Sequence, residues 1–213
     1  MKYKNKKLQT ACDGGAATGK STGAKMISKK YKLSFLSSGL LYRYAAFTIL
    51  KNKPKDKIKF LKNKFKRLNY KKLEKMKLHT QKISKKSAEI AKIIKIRNVL
   101  KKFQLDFAKK NKRCCIEGRD ISTKILPKSD IKFFFICDLN TASKRRFNEL
   151  KKNKSNISLP EVKKALRMRN KLDTNRKNSP LLKHRDSIVI NTGKLNKNTM
   201  LSKMSDHIED LLK

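Results

Sequence analysis

The chain has 213 residues, enough for one α/β domain with a sizeable core and a smaller appendage, and too few for two large domains. Its formal net charge of +42 and pI near 10.4 would ordinarily point to nucleic acid or an acidic membrane, but 47 lysines against 11 arginines run through every segment instead of forming one stripe, which describes a solvated surface. The longest apolar run, Phe133 to Cys137, cannot span a bilayer, and only a few apolar residues follow the basic start MKYKNKK, so neither anchor nor signal peptide is expected and the protein is expected in the cytoplasm.

In chain order, Leu8 to Cys12 reads as a short buried strand and Lys20 to Tyr31 as a helix with Ala24, Ile27 and Tyr31 on one face. Between them, Gly14, Gly15, Ala16, Ala17, Thr18, Gly19, Lys20 and Ser21 fit the spacing G-x-x-x-x-G-K-[ST], with Thr22 next. Small residues at these positions let successive backbone N–H groups turn inward around phosphate oxygens. In such a loop the lysine reaches the β- and γ-phosphates of a triphosphate, and the serine hydroxyl ligates Mg²⁺. Strand, loop and helix N-terminus in that order favour anion binding.

A second strand at Leu33 to Leu36 leads into Ser37-Ser38-Gly39 and a helix through Leu41, Ala45, Ile49 and Leu50. Residues 51–82 are lysine-dense, broken by Pro54, with irregular apolar residues. They read as an inserted subdomain or as a flexible basic linker, and composition does not decide between the two. Phe65 and Tyr70 are the best candidates there for stacking on a base, unless they anchor a small core. Ser84 to Lys110 reads as one long helix burying Ile90, Ile93, Ile94, Leu100 and Phe103. Strands are expected at Arg113 to Glu117, Ile131 to Cys137 and Ser187 to Asn191, a capped helix from Ser158-Leu159-Pro160-Glu161, a mobile polar segment at 169–180, and a last helix at Thr199 to Leu212. Strands alternating with helices indicate a parallel sheet wrapped on both faces.

Where lysine serves any merely solvated charge, arginine marks places where a planar fork must grip an oxyanion. Arg43, Arg97, Arg119, Arg145, Arg146, Arg167, Arg169 and Arg176 all lie in or beside the motifs and the expected lid segment; Arg67, Arg113 and Arg185 do not. Cys12, Cys114, Cys115 and Cys137 lack C-x-x-C spacing and sit in apolar runs, as buried thiols of a reducing compartment do. His79, His184 and His207 have no ligand partners at metal-binding spacing.

Five ordered motifs carry a family resemblance. The chain resembles bacterial cytidylate (CMP) kinases, which read I-D-G-P-x-x-x-G-K-[SG]-T where it has Cys12 to Thr22, L-D-[ST]-G-x-x-Y-R at Leu36 to Arg43, and V-R-x-x-L-x-x-x-Q at Ile96-Arg97 through Gln104. G-R-D-[IM]-G-T-x-x-x-P matches Gly118-Arg119-Asp120-Ile121-Ser122-Thr123 through Pro127, and R-x-x-x-D-x-x-R-x-x-[SA]-P-L matches Arg169, Asp173, Arg176, Ser179, Pro180 and Leu181. The resemblance implies a phosphate-loop kinase fold with a parallel five-stranded sheet, an inserted nucleoside-monophosphate subdomain at 51–82 and a lid at 145–163. It implies transfer of the γ-phosphoryl of ATP to CMP or dCMP with Mg²⁺, by a monomer.

By the same resemblance, residues Gly14 to Thr22 with Arg145 bind ATP. Arg43, Arg119, Arg169 and Arg176 hold the acceptor phosphate and, with Lys20, are catalytic. Arg97 and Asp120 read the cytosine, Asp173 holds the sugar, and Ser38 completes the acceptor site. A nucleoside monophosphate is largely dianionic at neutral pH, so no general base is required; alignment and charge stabilisation suffice. The chain departs from the family pattern at Gly15 (proline), Ser37 (aspartate), Ala88 (a serine that contacts cytosine, with Ser87 adjacent) and Asn191 (aspartate). A phosphate-loop kinase for another nucleotide or small metabolite, and a basic nucleic-acid-binding protein with a relic loop, are the alternative readings.

Overall fold

The structure is a computed structural model that describes residues 6–152 and 157–213; residues 1–5 of the basic start and 153–156 of the expected lid lie outside the described residues. It divides into two compact units, Met1–Leu36 with Lys112–Lys213, and Ser37–Asn111.

The first unit is built on five strands, β1 (Leu8–Gly14), β2 (Ser34–Ser37), β3 (Arg113–Gly118), β4 (Ile131–Ile136) and β5 (Ile188–Asn191), in the order β2-β3-β1-β4-β5. β1 lies parallel to β3 on one side and β4 on the other, with Asp13 opposite Gly118 and Phe134. Its residues are almost all buried, as expected of a strand covered on both faces. Phe133 and Phe135 of β4 are fully buried against Ala24 and Ile27 of α1 (Lys20–Lys30) and against Met200, Met204 and Ile208 of the last helix, Lys197–Leu212. Each such side chain contributes about 2 kcal/mol by leaving water. Strand order reverses around β1, so its carboxyl end opens at the switch point, where ligands of α/β sheets bind.

The second unit holds α2 (Ser38–Asn52), α3 (Lys57–Lys66), α4 (Tyr70–Glu74), α5 (Gln81–Ile90) and α6 (Ile94–Lys110). Phe65 is buried between the rings of Tyr44 and Phe103, at 5.8 and 5.7 Å in edge-to-face contact. The Tyr70 hydroxyl accepts from Ser37 N–H at 2.6 Å. Both aromatic rings that the sequence offers for base stacking are therefore engaged inside the unit.

Three expectations need correction. The single helix at 84–110 is two, because Ile93 is extended (φ −87, ψ 109) and Arg97 Nη1 donates to the Ala91 carbonyl at 3.1 Å, satisfying a group that the end of α5 leaves open. Ile93 and Ile94 consequently face solvent at 42% and 52% exposure. The polar segment from Arg169 is helical through Asn175, as the end of α8 (Leu159–Asn175), because its charges pair with one another around the buried Asp173. Cys137 follows β4 instead of belonging to it and is half-buried, its sulfur accepting from Arg145. Among the described residues no helix is long and apolar enough to cross a membrane.

Candidate active site

β1 ends in the loop the motif announces. Gly14 passes so close to β4 that a Cβ there would lie 2.5 Å from the Phe135 carbonyl oxygen and 2.9 Å from its Cβ, so no other residue fits. Gly19, at φ +78, turns the chain into α1. The side chains of Ala16 and Ala17 pack away into an apolar cluster with Ala142, Val162 and Leu166 of the helices α7 (Leu139–Lys152) and α8. Thr18 Oγ1 donates to the Gly15 carbonyl at 3.1 Å.

Lys20 opens α1 and is 7% exposed, against a field of solvated lysines. Its Nζ lies 3.4 Å from Glu117 Oε2, itself 3% exposed at the end of β3. Ser21 and Thr22 are exposed on the first turn of α1. On the other side, Thr192 Oγ1 donates to the Thr18 carbonyl at 2.8 Å. Arg145 grips Thr192 with both arms, Nη1 to Oγ1 at 2.9 Å and Nη2 to the carbonyl at 2.8 Å. Arg145 thus reaches the loop through Thr192.

Asp13, just before the loop, is fully buried and accepts from Ile121 N–H (2.8 Å), Ser122 N–H (2.7 Å) and the Ser122 hydroxyl (2.6 Å). Burial pushes its carboxyl upward and the hydrogen bonds oppose that. The three bonds fix the short π-helical turn Ile121–Ile125, and with it the direction of Arg119 and Asp120.

Those two residues meet the late motif. Asp173 Oδ2 accepts from Arg119 Nε at 2.9 Å and from Arg169 Nε at 3.0 Å, while Arg176 lies 3.6 Å from its Oδ1. Arg176 also stands 3.8 Å from Asp120 Oδ1 and donates through Nε to the Ser179 carbonyl. Burial would raise the Asp173 carboxyl, but Arg119, Arg169 and Arg176 outweigh it and hold it at about 2. Since that lies below the ordinary value of about 3.9, the pairing stabilises the fold fully above pH ~4 and is lost as pH falls toward 2. Asp173→Asn is expected to cost about 2 to 3 kcal/mol at pH 7 and to flatten the loss of stability between pH 4 and 2; urea unfolding across that range checks it.

In the second unit, Ser38 is buried in the first turn of α2. Arg43 donates to the Gly39 carbonyl at 3.2 Å, and Arg97, 8% exposed, lies over the Tyr42 ring at 5.6 Å. The structure brings Arg119, Asp120, Arg169, Asp173 and Arg176 together in the first unit and places Arg43, Arg97 and Ser38 in the second.

Residues 10–210 match the sequence model of the cytidylate kinase family. The chain belongs to the cytidylate kinase family. It is 31% identical over 204 residues to a cytidylate kinase of Rickettsia rickettsii, covering 94% of this chain and 91% of that one. It is 30% identical over 229 residues to a cytidylate kinase of Flavobacterium johnsoniae, with 98% and 99% covered. Among solved structures, an uncharacterized protein from Eubacterium ventriosum superposes with a TM-score of 0.58 at 16% identity, over 95% of this chain and 98% of that one, a likeness in fold.

Two departures from the cytidylate kinase pattern have a local account. Ser37 caps α2, accepting from Leu40 N–H at 3.2 Å, a job serine and aspartate do equally well. Asn191 accepts from Gly193 N–H at 3.1 Å, as aspartate would. Beside Ala88, Ser87 is buried and its hydroxyl donates to the Ser84 carbonyl at 2.8 Å. Sequence reasoning gave no role to Asp13, Glu117, Asn170 and Thr192. Asp13 stands inside the first motif and Glu117 adjoins the fourth, and the signal at Glu117 is a carboxylate in an otherwise apolar strand.

Proposed function

We propose that the chain transfers the γ-phosphoryl group of ATP to CMP or dCMP, giving ADP and the diphosphate. The observation that carries this reading is the buried Lys20 at the end of a phosphate loop in a unit that also holds three arginines on one carboxylate, inside a family whose named relatives are cytidylate kinases. The loop Gly14 to Thr22 cradles the triphosphate with its inward amides, Ala16 N–H apart, and Lys20 follows charge onto the β–γ bridge as it breaks. Arg119, Arg169 and Arg176 hold the acceptor phosphate, Asp120 reads the cytosine and Asp173 the sugar. In the second unit, Arg43 serves the acceptor phosphate and Arg97 the base, and Ser38 the rest of the nucleotide. Residues 51–82 belong to the subdomain that takes the monophosphate, and 145–163 to the lid that excludes water.

The chain's oxygen donors suit a hard cation: the Ser21 hydroxyl is exposed beside Lys20, with the Glu117 carboxylate on the adjoining strand. Ser21 and Glu117 would hold Mg²⁺ there, and the ion would supply neutralisation of charge on the β- and γ-phosphates. The other face of the chemistry needs no proton abstraction, because the acceptor arrives as a dianion. We further propose that the chain acts as a monomer in the cytoplasm, where its four free thiols stay reduced.

A coupled assay of ADP release against CMP, dCMP, UMP, AMP and dTMP tests the reading. CMP and dCMP are expected to exceed AMP and dTMP by about 10,000-fold in kcat/KM, the size of discrimination a site gains by hydrogen-bonding the right base. A preference for AMP or dTMP overturns the assignment to cytidine nucleotides. Salt-sensitive RNA binding without phosphoryl transfer overturns the assignment to kinases.

A further inference from the structure

The phosphate loop is held from two sides, and the two contacts differ in kind. Thr192 takes hold of a carbonyl, that of Thr18, and leaves the inward amides untouched. Asn170 of α8 takes hold of an amide: Ala16 N–H donates to its Oδ1 at 3.0 Å. The carboxamide stands close over Gly15, where an added Cβ would come 3.2 Å from Oδ1 and 3.5 Å from Nδ2. Gly15 has no positive φ, so its lack of a side chain is explained by this close approach and not by its backbone. Asn170 is the residue after Arg169 and three before Asp173, so the helix that anchors the arginines also reaches the loop.

We propose that Asn170 is a positioning residue of the phosphate loop, fixing its leading half by capping Ala16 N–H from α8 across the gap that Gly15 leaves. The proposal rests on the loop being the ATP site. A Gly-Gly start gives the loop more freedom than any other pair of residues, and one acceptor on the third residue removes it. The chemistry suits an amide: it accepts the N–H as a carboxylate would, but sets no negative charge beside a triphosphate, and its Nδ2 remains a donor. The methyl groups of Ala16 and Ala17 in the α7–α8 cluster hold the same stretch from the apolar side.

Two substitutions should have one effect. Asn170→Ala deletes the cap, and Gly15→Ala displaces it, because a Cβ 3.2 Å from Oδ1 pushes the carboxamide away. Each is expected to weaken equilibrium binding of ATP to the full chain by about 5- to 10-fold, the size of one hydrogen bond, and to lower kcat similarly. KM for CMP should stay within about twofold, since no partner of Asp173 is altered. The double variant should be no worse than either single one, because the second change has nothing left to remove. Thermal unfolding reports whether each variant is folded. Asn170→Ala with unchanged ATP binding, losses that multiply in the double variant, or an equal loss on the CMP side overturns the proposal while leaving the kinase reading intact. A natural chain that does not bind ATP overturns both.

Discussion

Lys20→Ala is expected to abolish turnover for practical purposes, lowering kcat about 1,000-fold, or ~4 kcal/mol of transition-state stabilisation. The ammonium is the one buried lysine of the loop, in a place with little water to substitute for it. Its removal has a second consequence. Glu117 is 3% exposed and faces Lys20 at 3.4 Å, so deleting the cation takes one partner from a buried carboxylate, a loss of about 3 kcal/mol in such pairs. The single variant thus changes stability and chemistry at once. Lys20→Ala with Glu117→Gln, set against Glu117→Gln alone because Glu117 also stands at the proposed cation site, separates them: melting should return toward that of the natural chain, and turnover should stay far below that of Glu117→Gln. ADP release together with thermal unfolding of the four chains is the measurement. Recovery of turnover in the double variant would remove Lys20 from the mechanism.

How far the sequence reached follows from what its signals are made of. The loop was legible because glycine spacing and a following Lys-Ser are local. β1 and β4 were legible because buried parallel strands are plain apolar runs, Phe133 to Phe135 most clearly. The break at Ala91–Ile93 was not, since three residues of slip leave Ile90 and Leu100 buried on either side and nothing in hydrophobic periodicity registers it. Nor was the helicity of Arg169 to Asn175, where charge reads as solvent exposure until its partners are known to be Asp173 and Asp120. Glu117 was hidden for the opposite reason. A carboxylate inside an apolar strand resembles an interruption, and only the register of β1 against β3 brings Glu117 to Lys20. Lysine itself gave no information except where it was buried, whereas arginine gave much: of 11, five fall in the five motifs.

Arg119→Ala should have the next largest effect, and of a different kind. Asp173 gathers three guanidinium groups, and Arg119 makes the shortest of the contacts through Nε, with Nη1 directed to the Gly118 carbonyl at 3.3 Å. A phosphate dianion is the ligand that matches such a surplus of positive charge, because the carboxylates offset only part of it. Removing Arg119 should lower kcat/KM for CMP by about 100- to 1,000-fold, mostly through KM for CMP, while KM for ATP stays within about threefold. Arg119→Lys should recover less than about tenfold of this, because an ammonium cannot hold Asp173 through one edge and a phosphate oxygen through the other. Steady-state kinetics with each substrate varied in turn decides the matter. If the loss falls on ATP instead, the cluster serves the donor, and the assignment of acceptor and donor to the two motifs is reversed.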